Sequence, residues 1–143
     1  MKTESEKSLA LVDSNILLYA FAEDSPKHQT AYELLKKCFA GSITLAISLQ
    51  NIGEFCNVAR WKYKLDLAAI KRIARQIIYC SSFRKVSYTA NEFEMALELA
   101  ERHNIEFWDA MLVATMIENG IGTIYTEDAG FGKVEGIKAI NPF

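Results

Sequence analysis

The sequence predicts an α/β fold in three layers, with a mostly parallel central sheet between two layers of helices. Short apolar runs, such as residues 9–12 and 43–47, have the length and composition of buried strands. Between these runs, longer segments carry apolar residues every three or four positions, as on one face of a helix. Strands that alternate with helices form parallel sheets covered on both faces, and this alternation is the basis of the prediction.

The first half of the chain is predicted to contain two strands and four helices. Strand 9–12 leads directly into a helix over residues 14–22. Ser25 is a suitable N-cap and Pro26 a suitable first residue for the second helix, which ends at Gly41. The remaining elements of this half are strand 43–47, a helix from Ser48 to Trp61, and an amphipathic helix over residues 67–78.

The second half is predicted to contain two helices and three strands. A weak strand over residues 83–88 comes first, and Thr89 with Glu92 then forms a capping box for a helix that ends near Arg102. The next helix, FWDAMLVATMI, is almost entirely apolar and is stopped by two glycines. The last two predicted strands cover residues 123–126 and 137–140.

Composition predicts one ordinary globular domain. Of the 143 residues, 50% are apolar and 24% are charged, and the net charge is -2. This charge excludes a strongly basic nucleic-acid-binding protein, although a local basic patch can still bind RNA. We expect a solvated tail at residues 1–8 and a single domain over residues 9–143.

The expected location is the cytoplasm. Asp13 and Asn15 interrupt the apolar run that follows the N-terminal segment, so neither a signal peptide nor a membrane span is expected there. Cys38, Cys56 and Cys80 form no CxxC pair, which favours buried free thiols in a reducing compartment over disulfides or a metal cage.

Four carboxylates are predicted to lie near one edge of the sheet. Asp13 and Asp128 each follow a predicted strand. Glu54 lies in the second turn of the helix that leaves the second strand, and Asp109 lies at the start of the helix that precedes the strand before Asp128. Ligands of parallel sheets bind beyond the carboxyl ends of the strands, so all four are candidate site residues.

The surroundings of these carboxylates indicate a divalent cation. Asp109 has almost only apolar neighbours, and Asp13 lies between two apolar runs. An ionised carboxylate in such surroundings needs a cation, a hydrogen-bond network or an opening to solvent. Clustered carboxylates repel one another, and magnesium or manganese relieves that repulsion. A metal held in this way can activate water and stabilise charge on a phosphate oxygen, so phosphodiester hydrolysis is the expected chemistry.

Three of the four carboxylates also have a simpler interpretation. Asp13 can be a helix cap, Glu54 a surface residue, and Asp128 in the segment TEDAG part of a turn. The prediction of a site therefore depends on all four meeting at one edge, with two of them flanked by apolar runs.

At these residues the sequence resembles the PIN-domain nucleases, and especially the VapC-like toxins of toxin–antitoxin pairs. The matching segments lie between residues 9 and 143 and occur in family order: LVDSNILLYAF, ISLQNIGEFCNVARWK, IEFWDAMLVATMIENG, IYTEDAGFG and IKAINPF. The resemblance implies a PIN-like α/β/α sandwich and a metal-dependent endoribonuclease. Its implied catalytic residues, which would also hold one or two Mg²⁺ or Mn²⁺ ions, are Asp13, Glu54, Asp109 and Asp128.

The resemblance extends to residues around the acidic cluster. Asn15 and Thr126 stand where the family places polar residues that orient the acidic cluster through hydrogen bonds. Gly53 and the pair Ala129-Gly130 depart from the bulkier or more polar residues that are common in the family, which puts the loop shape beside the site in question. Glu127 could supplement Asp128, but it alternates away from it along the chain.

The resemblance also implies partners. These are an RNA substrate, an antitoxin protein that covers the acidic site, and a second copy of the chain in a homodimer. The surface around residues 26–39 and 49–75 is our expectation for the antitoxin groove.

A basic and aromatic stretch is a second candidate feature. Arg60, Lys62 and Lys64 alternate with Trp61 and Tyr63, and such alternation suits RNA through phosphate attraction and base stacking. A solvated helix end with both aromatic rings in the core explains the pattern equally well.

Two other functions remain open from the sequence. An aspartyl-phosphate phosphotransfer protein also uses an Asp at a strand end. Haloacid-dehalogenase-like enzymes need a second Asp at the position of Asn15, which counts against that class. A binding module without catalysis is the other alternative, as an inactive PIN-like RNA-binding protein or a cation-dependent adhesion site. The adhesion pattern requires a second serine that the segment DSN lacks.

Overall fold

A computed structural model of the chain describes residues 9–143. Its sheet has five parallel strands in the order β3-β2-β1-β4-β5, so the predicted α/β fold with a parallel central sheet is confirmed. The strands are β1 (Ala10–Val12), β2 (Leu45–Ser48), β3 (Phe83–Val86), β4 (Thr123–Tyr125) and β5 (Lys138–Ile140). The predicted tail at residues 1–8 lies outside the described residues.

Six helices connect these strands. They are α1 (Ser14–Phe21), α2 (His28–Phe39), α3 (Leu49–Trp61), α4 (Leu67–Tyr79), α5 (Ala90–His103) and α6 (Phe107–Glu118), and a 3-10 helix covers Ala129–Lys133. The capping box predicted at Thr89 and Glu92 is present at the start of α5.

The sheet separates two apolar cores. Leu11 of the central strand packs into the core formed with α5 and α6, while its neighbour Val12 packs into the core formed with α1 to α4. Alternate strand residues point to opposite faces, so a strand covered on both faces must be apolar at every position. All three residues of β1 are accordingly buried.

Helix α6 lies deep in the first core, since residues 110–116 are buried without interruption. Asp109 lies in the first turn of α6, just before these buried residues, where the helix leaves the core. The depth of burial explains the absence of a polar face in the sequence of α6. Between residues 9 and 143, no helix is both long and apolar enough to cross a membrane.

Helix α2 begins two residues later than predicted. The Oγ atom of Ser25 accepts a hydrogen bond from the backbone N–H of Lys27 at 3.2 Å, within a turn. Lys27 occupies the N-cap position and α2 starts at His28, so the prediction of Pro26 as the first helical residue is wrong. The serine side chain bonds within this turn instead of capping the helix.

The three cysteines are free thiols, as predicted, but the predicted burial is correct only for Cys38, since Cys56 and Cys80 are partly exposed. Cys38 is fully buried, and burial raises the pKa of its thiol to about 11. Burial also raises the pKa of Cys56. Both thiols therefore stay protonated at neutral pH and are poor nucleophiles.

Candidate functional site

The structure brings the four predicted carboxylates to one edge of the sheet. Asp13 directly follows β1, Asp128 lies three residues after β4, and these two strands are neighbours. The pKa of Asp13 is affected by the charges of Glu54 and Asp128, and that of Asp109 by the charges of Asp128 and Asp13. Carboxylates from four separate segments thus share one electrostatic environment.

Asp13 is the most deeply buried of the four, with 9% of its surface exposed. Its Oδ1 atom accepts hydrogen bonds from Ser14 N at 2.7 Å and from Asn51 Nδ2 at 3.3 Å. Its Oδ2 atom accepts one from Thr126 Oγ1 at 2.7 Å. Asp13 is therefore the N-cap of α1 and also a member of the cluster, so the two interpretations of this residue coexist.

The pKa of Asp13 is raised, and burial is the main cause. The hydrogen bonds from Thr126 and Ser14 favour the charged form, but they do not outweigh the loss of water. The neighbouring Glu54 and Asp128 raise the pKa further because like charges repel. The site therefore favours any group that brings positive charge to Asp13.

Asp109 shows the same effect more strongly, since its pKa is raised to about 7. Burial is the largest cause, and the charge of Asp128 is the next. When Asp109 is protonated it can donate a hydrogen bond to Asp128, so a proton relieves the repulsion between this pair. A divalent cation can relieve the same repulsion.

Glu54 is connected to Asp13 through Ser14. The Oγ atom of Ser14 donates to Glu54 Oε2 at 3.0 Å and lies 3.4 Å from Asp13 Oδ1. The other oxygen of Glu54, Oε1, accepts from Gln50 Nε2 at 3.0 Å. These contacts hold the Glu54 carboxylate on the side of α3 that faces the cluster.

Asp128 is the exposed member of the cluster. Its Oδ1 atom accepts from Gly130 N at 2.8 Å, and its own N–H donates to Thr126 Oγ1 at 3.0 Å. A Cβ atom added to Gly130 would lie 2.9 Å from Asp128 Oδ1, so any side chain there would displace the carboxylate. The turn chemistry of TEDAG thus sets the position of Asp128.

The residues around the cluster differ in part from those expected. Thr126 hydrogen-bonds both to Asp13 and to the backbone of Asp128. The side chain of Asn15 forms no hydrogen bond with any residue from 9 to 143, and its Oδ1 atom is buried. Sequence reasoning missed Ser14 and Asn51. The position of Ser14 directly after Asp13 could have indicated its role. For Asn51, the corresponding signal was an amide side chain at the start of the helix that carries Glu54.

Glu127 points away from the cluster, in agreement with the alternation noted in the sequence. It forms an ion pair with Lys27 and accepts a hydrogen bond from Tyr19 Oη at 2.8 Å. The amino group of Lys27 also lies over the rings of Tyr19 and Phe143, at 5.1 and 5.6 Å from their centroids. Glu127 therefore anchors the loop that carries Thr126 and Asp128.

The aromatic rings of the basic stretch lie at the surface. Trp61 is 60% exposed and Tyr63 is 38% exposed, so the interpretation that places both rings in the core is wrong. Arg60 lies over the ring of Trp61 at 4.7 Å, and Lys62 over that of Tyr63 at 5.9 Å. Both rings and their cations are thus open to a ligand.

The four carboxylates fit a hard divalent cation by their chemistry rather than by a preassembled geometry. Within residues 9–143, no three His, Cys, Asp or Glu side chains are grouped as a metal site. The carboxylate oxygens are nevertheless hard ligands. Burial and neighbouring carboxylates raise the pKa values of Asp13 and Asp109, so a cation beside them would stabilise their charged forms. Asp109 and Asp128 line a cavity of about 170 Å³ that also contains Lys133, which leaves room for an ion and water.

Comparison with known proteins agrees with this fold. The sequence profile described as "PIN domain" matches residues 10–137, which include all four carboxylates. No curated protein sequence matches the chain. The crystal structure of Mycobacterium tuberculosis VapC20, described as a sarcin-ricin loop cleaving toxin, is similar at 24% identity and a TM-score of 0.69, covering 85% of this chain and 91% of that one.

Two toxin–antitoxin complexes are also similar. One, from Klebsiella pneumoniae, has 23% identity and a TM-score of 0.65, with 94% of this chain and 98% of that one covered. The other is VapBC2 from Rickettsia felis bound to a DNA fragment from its promoter, with 17% identity, a TM-score of 0.66, and coverage of 93% and 98%. At these identities the similarity shows a shared fold.

Proposed function

The chain belongs to the PIN domain family, and on this premise we propose that it is a metal-dependent endoribonuclease, the toxin of a toxin–antitoxin pair. The observation that carries the proposal is the meeting of Asp13, Glu54, Asp109 and Asp128 at one edge of the sheet. Burial and neighbouring like charges raise the pKa values of Asp13 and Asp109, and carboxylates perturbed in this way within one cluster are typical of a functional site.

The four carboxylates would hold one or two Mg²⁺ or Mn²⁺ ions. Such an ion, when bound, activates water and stabilises charge on a phosphate oxygen. Thr126 and Ser14 hold Asp13 and Glu54 in place through hydrogen bonds. Lys133 adds a positive charge beside the cavity of Asp109 and Asp128, which suits a phosphate group approaching from solvent.

RNA is the proposed substrate, and the basic stretch is a proposed contact for it. Arg60, Lys62 and Lys64 lie at one end of α3 and just beyond it, with both neighbouring aromatic rings exposed. Phosphate attraction by Lys and Arg and base stacking on aromatic rings together bind single strands.

An antitoxin and a second copy of the chain are the proposed protein partners. Two of the similar structures are toxin–antitoxin complexes, which supports the first. A cavity of about 530 Å³ lies between α1 and α3, and only part of its lining, such as Phe55 and Tyr63, belongs to the surface expected for the antitoxin; Phe21 and its neighbours lie outside that surface. We place this system in the cytoplasm, where the free cysteines would stay reduced.

Cleavage of RNA by the purified protein tests the proposed function. We expect fragments in Mg²⁺ or Mn²⁺, no fragments in EDTA, and recovery when the metal is restored in excess. Asp109→Asn keeps the size of the side chain but removes its charge, and it should lower cleavage at least about 100-fold. Full activity in EDTA or in Asp109→Asn would contradict the mechanism.

The alternatives are less well supported by the geometry. Both oxygens of Asp13 accept hydrogen bonds and the residue is 9% exposed, so it is badly placed to attack a phosphodonor. An inactive RNA-binding PIN domain would not need all four carboxylates. Metal-dependent binding of RNA without cleavage of any RNA tested would favour that second alternative.

A further inference from the structure

A cavity of about 450 Å³ opens on the surface beside Glu54, which we call the aromatic cavity. It lies between the start of α3, the segment after β3 and the start of α6. Its lining residues are Leu49, Gln50, Glu54, Ser87, Tyr88 and Trp108. Its volume is in the range of cavities that bind small organic ligands.

Two aromatic rings of this cavity are exposed. Tyr88 is 39% exposed and Trp108 is 45% exposed, and their ring centroids are 6.4 Å apart. Phe107 packs edge-on against Trp108 at 5.2 Å, and Phe93 packs against Phe107 at 5.0 Å. These contacts support the indole ring from one side, so it is held in place while part of its surface stays open.

The aromatic cavity is connected directly to the carboxylate cluster. Gln50 Nε2 donates one hydrogen bond to Glu54 Oε1 and another to the backbone oxygen of Trp108, both at 3.0 Å. Trp108 also precedes Asp109 in the chain, so the residue that forms the wall of the cavity is adjacent to a proposed metal ligand. A group bound in the cavity would therefore lie next to the reacting phosphate.

We propose that the aromatic cavity binds an unpaired nucleobase of the RNA beside the phosphate that is cleaved. Every base has a flat face that stacks on Tyr and Trp, and only an unpaired base can leave its helix to do so. Among the described residues that line this cavity there is no Lys or Arg to attract a phosphate, which favours the neutral base as the occupant. The inference rests on the proposed ribonuclease function and adds that Tyr88 and Trp108 select single-stranded over paired RNA.

Kinetics with matched variants test this site. The substrates are a single-stranded RNA oligonucleotide that the wild-type protein cleaves, the same strand in a duplex, and the same strand with an abasic nucleotide beside the cleavage point. Tyr88→Ala and Trp108→Ala should each lower kcat/KM for the single strand about 10-fold, mainly through KM. Tyr88→Phe and Trp108→Phe keep a ring and should stay within about threefold of wild type.

Tyr79→Ala is the matched control. Tyr79 is 81% exposed and lies outside the aromatic cavity, so its replacement should leave kcat/KM unchanged. With the abasic substrate, kcat/KM of the wild type should fall to the value that Trp108→Ala shows with the intact strand. The kcat/KM of Trp108→Ala should be the same with both substrates. This lack of additivity identifies the base and the ring as partners.

Tryptophan fluorescence gives a readout that is independent of cleavage. The chain has two tryptophans, so Trp61→Phe leaves Trp108 as the one fluorescent indole. In a Trp61→Phe, Asp128→Asn protein, the single-stranded oligonucleotide should quench this fluorescence more strongly than the abasic oligonucleotide.

The outcomes separate the inference from the proposed function. If the wild type cleaves RNA and Tyr88→Ala and Trp108→Ala have the same kcat/KM as the wild type, the inference is wrong and the proposed function is unaffected. A wild-type protein that cleaves no RNA would overturn the function, and equal quenching by both oligonucleotides would then overturn the inference as well. If light scattering shows that Trp108→Ala loses activity by dissociating into single chains, the cavity is an interface between copies and the inference is wrong.

Discussion

The hydroxyl of Thr126 donates a hydrogen bond of 2.7 Å to Oδ2 of Asp13, across 113 positions of sequence. The same hydroxyl accepts the N–H of Asp128 at 3.0 Å. One buried side chain after β4 thus sets the positions of two carboxylates, one following β1 and one following β4. This double contact explains how a cluster of like charges keeps a defined arrangement.

Replacement of Thr126 by Val should destabilise the protein. Val has nearly the same shape but no hydroxyl, so a buried oxygen of Asp13 loses its donor, which costs about 1–3 kcal/mol in the free energy of unfolding. Urea unfolding at pH 7 measures this loss. Thr126→Ser retains the hydroxyl and should recover most of the stability. A Thr126→Val protein that is as stable as the wild type would contradict the role of the hydroxyl.

Asp109→Asn should stabilise the metal-free protein at pH 8. The folded-state pKa of Asp109 is raised to about 7 from an ordinary 3.8, so the stability that its protonated form contributes is lost as the pH rises through 7. The neutral amide avoids that loss. Because the site is partly exposed, we expect a gain of only about 1–2 kcal/mol.

The pH and metal dependence of this variant provide the controls. At pH 5, where Asp109 is protonated in the folded state, the two proteins should differ little in Tm. At pH 8, added Mg²⁺ or Mn²⁺ should raise the Tm of the wild type and have little effect on Asp109→Asn. A variant that is less stable than wild type in EDTA at pH 8 would contradict the repulsion described above.

Gly130→Ala should reduce RNA cleavage with little loss of stability. Its methyl group would meet Asp128 Oδ1 at 2.9 Å and turn that carboxylate away from the cluster. We expect a decrease in kcat/KM of about 10- to 100-fold, since small displacements of catalytic groups have effects of this size. Gly132→Ala, where no atom lies within 4 Å of the added methyl, is the matched control and should be fully active.

Glu127→Gln should affect stability rather than metal binding. The Lys27–Glu127 ion pair is partly exposed, so we expect only a small loss in the free energy of unfolding. The rise of Tm with added Mn²⁺ should persist in Glu127→Gln and disappear in Asp128→Asn. The opposite result would make Glu127 the ligand in place of Asp128.

Neutralising the charges of the basic stretch should weaken RNA binding by reducing the electrostatic, salt-dependent contribution to the binding constant. The triple variant Arg60→Gln, Lys62→Gln, Lys64→Gln should lower the slope of log K against log salt by about 2, since each phosphate contact on a single strand contributes about 0.7. Filter binding of RNA to the Asp128→Asn protein at several salt concentrations measures this slope. Lys138→Gln, at the exposed first position of β5, is the control, and an equal effect per charge removed would mean that net charge alone attracts the RNA.

Much of the fold and the candidate cluster was predictable because it depends on local patterns. Apolar runs and helical spacing specify the order of strands and helices, and parallel strands bring their carboxyl ends to one edge. The positions of Asp13 and Asp109 at the ends of apolar segments were therefore readable along the chain. The start of α2 was mistaken because a serine side chain can accept a backbone N–H two residues on either in a turn or at a helix N-cap, and Ser25 does so with Lys27 in a turn.

The sequence by itself determined which residues are apolar, where helices and strands alternate, and that carboxylates follow the strands. Only the tertiary structure decided that Ser14 joins Asp13 to Glu54, that Glu127 turns to Lys27, and that Gln50 reaches Trp108 across 58 positions. The physical reason is that a side-chain hydrogen bond forms or is lost when the distance between donor and acceptor changes by a few tenths of an ångström. Such distances are set by the packing of whole helices and strands against one another, which the spacing of residues along a chain does not contain.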